Sequence, residues 1–228
     1  MIHPRIFTTS ILFVALFSSL ATAQDLSKYR DFQFGTRLES VAEQIHMDVA
    51  AAKTIHQRPA MIQTLQWDQL SYSSPAANER SLRSIRFDFY NGELFKIIVA
   101  YDPVGTEGLT TQDMVDAISG IYGPATNPDR TIPVPTASIY EDNQKVLGCW
   151  ENDQYSYNLF RSRYGNAFGL MAISKKLDLV ATEAIREAQR LDKLEAPARE
   201  IARQKQQEAD RRTEQEKARL ISRPNFRP

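Results

Sequence analysis

Cysteine is nearly absent from this 228-residue chain: Cys149 stands alone. One cysteine cannot close an internal disulfide, so a disulfide-stapled small fold is excluded and the core must hold by packing. Cys149 lies beside Trp150 in an apolar pattern and reads as a small buried residue rather than a nucleophile. Histidine is scarce too. Beyond the first 23 residues only His46 and His56 occur, and their spacing is not the i,i+4 of a helical metal pair. Neither sign of charge is in excess, with 28 Lys and Arg against 28 Asp and Glu. Net charge therefore points to neither nucleic acid nor an anionic membrane. The nine glycines form no Gly-x-Ser-x-Gly elbow and no phosphate-cradling loop. After the first 23 residues no apolar run approaches the roughly 20 residues that span a bilayer.

The first 23 residues have a character of their own. Arg5 opens a mildly basic segment, Ile11 to Phe17 is apolar with Leu20 beyond it, and Ala21-Thr22-Ala23 follows. The apolar stretch is too short for a stable span, and small residues bound the last triplet. A secretory signal peptide over 1–23 is expected, cleaved between Ala23 and Gln24. Cys149 is far from that junction, so no lipid anchor is expected. The mature chain should be exported to a bacterial periplasm, the alternative being the extracellular space.

The rest divides by pattern into 24–104, 105–176 and 177–228. Gln24 to Tyr29 reads as a loose N-terminus, and Asp31 to Phe34 as a short strand ended by Gly35. Thr36 and Glu39 have capping-box spacing. Leu38, Val41, Ala42, Ile45 and Val49 then recur with the helical period, predicting a helix to Ala52. Three strands follow: Met61 to Trp67, Ile85 to Tyr90 and Glu93 to Tyr101. A polar loop from Ser71 to Arg83 precedes the second, and an Asn91-Gly92 hairpin turn separates the last two. A second helix starts near Thr110 or Thr111, with Met114, Val115, Ile118, Ile121 and Tyr122 as its buried stripe. Gly123-Pro124 stops it. Pro128, Pro133 and Pro135 mark an irregular loop. Lys145 to Trp150, Gln154 to Arg161 and Ala167 to Ser174 then read as strands, with turns at Asn152-Asp153 and Gly165-Asn166. The expected fold is α+β: two helix-plus-three-stranded antiparallel units, each with one tryptophan, joined edge to edge or standing apart.

Phe34-Gly35-Thr36, with Glu39 and Val41, and later Phe89-Tyr90-Asn91-Gly92-Glu93-Leu94, resemble the small SmpA/OmlA-type outer-membrane assembly lipoproteins. The tandem layout over about Asp31 to Ser174 resembles the β-lactamase-inhibitory proteins. What the resemblance implies is a protein-binding role without catalysis. The lipid-accepting cysteine of the first family and the cysteine pairs of the second are missing here, and no binding residue carries over.

From Leu177 to Arg223 the chain is rich in Ala, Glu, Gln, Lys and Arg and has no glycine, a helix-forming composition. Glu195 with Arg199, and Glu208 with Arg212, are favourably oriented i,i+4 pairs. Leu177, Ala181, Ala184, Ala188 and Leu191 recur so that the first part docks on the body or on a partner helix. Pro197 predicts a kink or break. Beyond Ala202 large apolar residues vanish until Leu220 and Ile221, which argues for a solvated helix there.

Asp88, Glu93, Asp102, Glu141, Asp142, Glu151 and Asp153 sit on strands or turns and are the candidate acids and bases. Turn carboxylates more often satisfy backbone donors. Tyr155, Tyr157, Phe160 and Tyr164 give the second unit an aromatic row; Tyr155, Tyr157 and Tyr164 are the candidate interaction face, although strands favour aromatics in any case. The leading expectation is a non-catalytic module binding another envelope or secreted protein, with no cofactor or metal, no nucleic acid, no stable membrane span and room for self-association through the tail. A small-ligand carrier for a lipid or metabolite, or an enzyme with a site outside known motifs, are the alternatives.

Overall fold

The computed structural model describes residues 25–69, 81–135, 141–162, 167–225 and 227. The expected signal peptide and its Ala23–Gln24 junction lie outside them, as do Tyr164 and the Gly165-Asn166 turn. The fold is α+β, with one eight-stranded antiparallel sheet, a small two-stranded sheet and a long C-terminal helix.

Two short strands come first, β1 (Lys28–Tyr29) and β2 (Phe32–Gln33), paired with each other. Then come α1 (Leu38–Gln44), β3 (Lys53–His56), β4 (Ile62–Asp68), β5 (Leu82–Tyr90) and β6 (Glu93–Tyr101). The second half has α2 (Thr111–Tyr122), β7 (Thr131–Pro135), β8 (Glu141–Glu151), β9 (Tyr155–Arg161) and β10 (Phe168–Ser174), followed by α3 (Lys175–Ser222) and a 3-10 turn at Arg223–Asn225. The strand order is β3-β4-β5-β6-β10-β9-β8-β7. The halves share one sheet, with β6 and β10 antiparallel at its centre and Val99 opposite Leu170.

Each half gains an outer strand that the pattern did not announce. β3 is short and exposed. β7 contains Pro133 and Pro135, expected in an irregular loop. Proline lacks a donor for a second neighbour, so an edge strand suits it. The other edge is blunted differently. β3 carries Lys53, and its register with β4 slips between Thr54 and His56. Short length, charge and a bulge all discourage further pairing.

The front face of the sheet carries the main core. Leu65, Trp67, Phe87, Ile97, Val99, Trp150, Tyr157, Leu159 and Leu170 pack with Leu38, Val41 and Ala42 of α1 and Met114 and Ile118 of α2. Leu26, Tyr29 and Phe34 join them. The segment expected to be loose is therefore tied down by two buried side chains, Leu26 and Tyr29.

α1 is shorter than its periodicity predicts, and its capping box does not form. Arg37 is the flanking residue and offers no side-chain cap. Instead the Leu38 N–H donates to the Gly92 carbonyl at 3.0 Å, and the Thr36 carbonyl accepts the Leu94 N–H at 2.9 Å. The Asn91-Gly92 turn, with φ of 49° and 82°, thus supplies the cap from across the fold. At the other end His46 adopts φ 55°, its N–H bonds to Glu43 and that of Met47 to Ala42. This is a Schellman stop with histidine where glycine usually sits. The chain turns away eight residues early, and Val49 ends up on the surface. α2 follows its pattern more closely. Thr110 and Asp113 form a reciprocal capping box, although Ile121, expected in the buried stripe, is exposed.

Candidate functional site

The back face of the sheet, opposite α1 and α2, holds three groups of residues. At one end α3 crosses it, beginning directly after the central strand β10. Ala181, Ala184 and Ala188 are the helix's buried positions. Ala181 packs on Ile62 and Phe95, with Leu177, Ile185 and Tyr90 around them. A bulge makes this possible. The register of β5 and β6 slips between Asp88 and Phe89, so Phe95 leaves the front core and faces the helix beside Lys96. The Lys96 ammonium meets the Asp178 carboxylate at 2.8 Å in a partly buried pair. Farther along, Arg58 of the β3–β4 loop pairs with Glu195. The alanine stripe keeps the helix close, and the two ion pairs fix its direction.

The second group is a small apolar cluster of Ile98, Phe160, Met171 and Val134. Gly169, opposite Phe160 across the β9–β10 pair, provides the floor on which the phenyl ring lies.

The third is a polar cluster that the sequence did not reveal. Arg130, just before β7, donates through Nη2 to Asn158 Oδ1 at 2.6 Å and reaches Cys149 Sγ at 3.0 Å. Asn158 Nδ2 donates to Ser156 Oγ at 3.1 Å. Glu151 stands 3.7 Å from Arg130 and 3.1 Å from Lys175. Burial raises the Glu151 carboxyl, but Lys175, Arg130 and Ser156 outweigh it and hold it below the usual carboxylate range. Burial pushes the Cys149 thiol up, against the pull of Arg130, so the neutral thiol is favoured over the nucleophilic thiolate. The members on β8 and β9 alternate with core residues, while Arg130 comes from just before β7 and Lys175 from the start of α3. A lone arginine in a proline-rich stretch gave no signal of its destination.

Two of the three residues of the candidate interaction face are among the described residues. Tyr157 is fully buried on the front face, its ring 4.6 Å from that of Tyr122. Tyr155 is half-buried and stacked on Phe34 at 5.5 Å. Phe160 points to the back, and Tyr164 is not among the described residues. The reason is that β9 has strands on both sides and packing on both faces, so its aromatics are core.

The candidate acids are dispersed. Asp88 is buried and accepts from Thr64 Oγ1 at 2.8 Å and Arg86 Nε at 2.7 Å. Asp102 accepts the Gly105 N–H at 3.2 Å, a turn role. Glu93 and Asp153 are exposed at the opposite end of the sheet, and Glu141 and Asp142 lie in β8. Asp88 and Glu151 share the back face, but four strand spacings separate β5 from β8, about 19 Å along the sheet. Carboxylates that act together on a glycosidic bond stand no more than about 9.5 Å apart. His46 is a backbone cap, and His56 is on the edge strand β3. Among the described residues no group of three His, Cys, Asp or Glu could hold a metal ion, and no helix is long and apolar enough to cross a membrane.

Among the described residues the second half of α3 stands open to solvent. The helix continues through Pro197 without the expected break, and residues 196–222 are exposed throughout. At 1.5 Å per residue this is an arm of about 40 Å. Both expected pairs are present, Glu195–Arg199 at 2.8 Å and Glu208–Arg212 at 4.0 Å. Glu183–Arg186, Glu187–Arg190 and Glu200–Arg203 add i,i+3 pairs. Leu194, just before the arm, and Ile201 on its first part are exposed. Comparison with protein-family models, with curated proteins and with solved structures finds no match.

Proposed function

We propose that the chain is an exported, non-catalytic module that binds another envelope protein through the arm of α3. The observation that carries this reading is the arm itself: an exposed helix held at a fixed angle by a docked first half. Leu191, Leu194, Ala198 and Ile201 follow the 3,4,3 spacing of a coiled-coil seam. Leu194 and Ile201 are 63% and 55% exposed, so among the described residues the seam has no partner within the chain. A helix of the partner with a matching apolar stripe is the occupant that fits. The signal-like segment 1–23 supports export. The blunted sheet edges favour the helix over strand addition as the means of contact.

The body reads as two related units. A helix followed by four strands occurs twice, and Trp67 in β4 and Trp150 in β8 hold equivalent places in the strand order. This agrees with a tandem binding scaffold of the kind the sequence resembles.

The test is a pull-down from envelope extract with three forms of the mature chain: full length, ending at Ala196, and full length with Leu194→Asp and Ile201→Asp. Ending at Ala196 keeps the docked half of α3, which a cut near Lys176 would remove. Recovery of one partner by the first form alone is expected. The same recovery by all three, or by none, would overturn the reading.

A further inference from the structure

The end of the arm differs chemically from its shaft. Along the shaft most arginines are ion-paired with an acid three or four residues earlier, whereas Lys217 and Arg219 follow Glu214 and Glu216 at that spacing without an ion pair among the described residues. After Glu216 the sequence contains no acid, while Lys217, Arg219, Arg223 and Arg227 follow within twelve residues. Among the described residues no ion pair engages Lys217, Arg219 or Arg223. At the same place large apolar residues return. Leu220 is 66% and Ile221 69% exposed. At about 100° per residue they share one side of the helix, Arg219 falls on the other, and Arg223, just past the end of α3, flanks Leu220. Lys217 lies on the apolar side itself one turn earlier, between Leu220 and Ile221 in azimuth, where a long stem can lie along it and carry its charge outward.

We propose that this tip binds an anionic phospholipid surface. Cations at headgroup level and two aliphatic side chains below them match the two layers of a bilayer interface. A nucleic acid would use the charges and leave Leu220 and Ile221 in water. The balanced net charge of the chain does not oppose this, because attraction to a surface acts over about 8–10 Å and senses the nearest charges. The tip lies about 40 Å along the helix from Glu195, the last contact with the body among the described residues. Binding there would hold the body off the membrane. The inference rests on the reading of an exported envelope protein but not on the identity of its partner.

The experiment is sedimentation of the full mature chain with vesicles of phosphatidylglycerol and phosphatidylethanolamine, and with phosphatidylcholine vesicles. Two variants go alongside: K217Q/R219Q/R223Q/R227Q, which keeps helix-forming residues, and L220S/I221S. Circular dichroism and Tm should match the unsubstituted chain, because no substituted residue packs on the body. Binding to the anionic vesicles alone is expected, lost in high salt. Each charge removed should weaken it about fivefold, and the aliphatic variant should also bind more weakly. Equal binding to both lipids, binding to neither, or unaltered binding by either variant would overturn the proposal. So would loss of protein capture, with vesicle binding intact, on substitution of the tip, which would make it a protein contact. Partner capture that persists without vesicle binding would remove this inference and leave the protein-binding reading standing.

Discussion

Replacing Gly169 with alanine tests the packing of the back face at one atom. A Cβ on Gly169 would lie 2.3 Å from Phe160 Cζ, 2.6 Å from Cε2 and 3.0 Å from Cε1. Comfortable carbon contacts begin near 3.5 Å, so the ring would have to withdraw by about 1 Å. It has little room, because Phe160 is 4% exposed and packed with Ile98, Val134 and Met171. Overpacking of this kind costs about 1–3 kcal/mol. The smaller freedom of alanine in the unfolded chain returns about 0.4–1 kcal/mol. A net loss of about 1–2 kcal/mol is expected, or about 2–8 °C in Tm for a domain of this size. Urea unfolding measures it, with an unchanged m value. Gly169→Ala should be neutral or stabilising once Phe160→Ala has removed the ring, although Phe160→Ala alone costs about 3–5 kcal/mol. The two changes should therefore couple by more than 1 kcal/mol. An equal loss from Gly169→Ala in both backgrounds, or none in either, would refute the stacking argument.

Three further outcomes are expected. Ala181→Glu buries a carboxylate against Ile62 and Phe95, so the first half of α3 should lift away. Limited trypsin digestion should then cut at Arg186 and Arg190, whereas the unsubstituted chain should be trimmed first beyond Glu195. Pro197→Ala restores a donor to the Lys193 carbonyl and removes a residue about 3 kcal/mol worse than alanine in a helix; ellipticity at 222 nm should change little at low temperature and be lost at higher temperature, and a large rise at low temperature would mean the helix is broken at Pro197. Burial raises the hydroxyls of Tyr29, Tyr101, Tyr122 and Tyr157, that of Tyr122 to about 12. Their neutral forms favour the fold, so this contribution is whole below about pH 10 and is lost as pH rises through the folded values. Absorbance at 295 nm should show these four ionising only as circular dichroism reports unfolding, and early ionisation of all tyrosines in a folded chain would contradict it.

How much of this was legible depended on the range of the signal. The Asn91-Gly92 turn, the flanking strands and α2 follow from local chemistry, and each lies close to its expected place. The early end of α1 did not, because its cap comes from Gly92 and its stop uses a histidine at positive φ. The outer strands β3 and β7 were hidden by brevity and by proline, features that mark an edge only when the sheet is known. The aromatic row on β9 could not be divided between surface and core without knowing that the sheet is covered on both faces. Arg130 was invisible for a related reason: its partners come from β8 and β9, and sequence distance gives no hint of them. The composition of α3 was plain, and only its continuity through Pro197 was not.

The junction at Ser174 has a mechanical meaning. α3 leaves the sheet from its central strand, so any load on the arm enters the fold at β10, which is hydrogen-bonded on both sides. Before the load reaches that strand it must pull apart the contacts of Glu195 with Arg58 and of Asp178 with Lys96, and then peel the alanine stripe from Phe95 and Ile62. An arm fixed to an edge strand would unzip one ladder bond at a time. Here the helix is a tether with its strain relief near the base, and the sheet behind it resists as a whole.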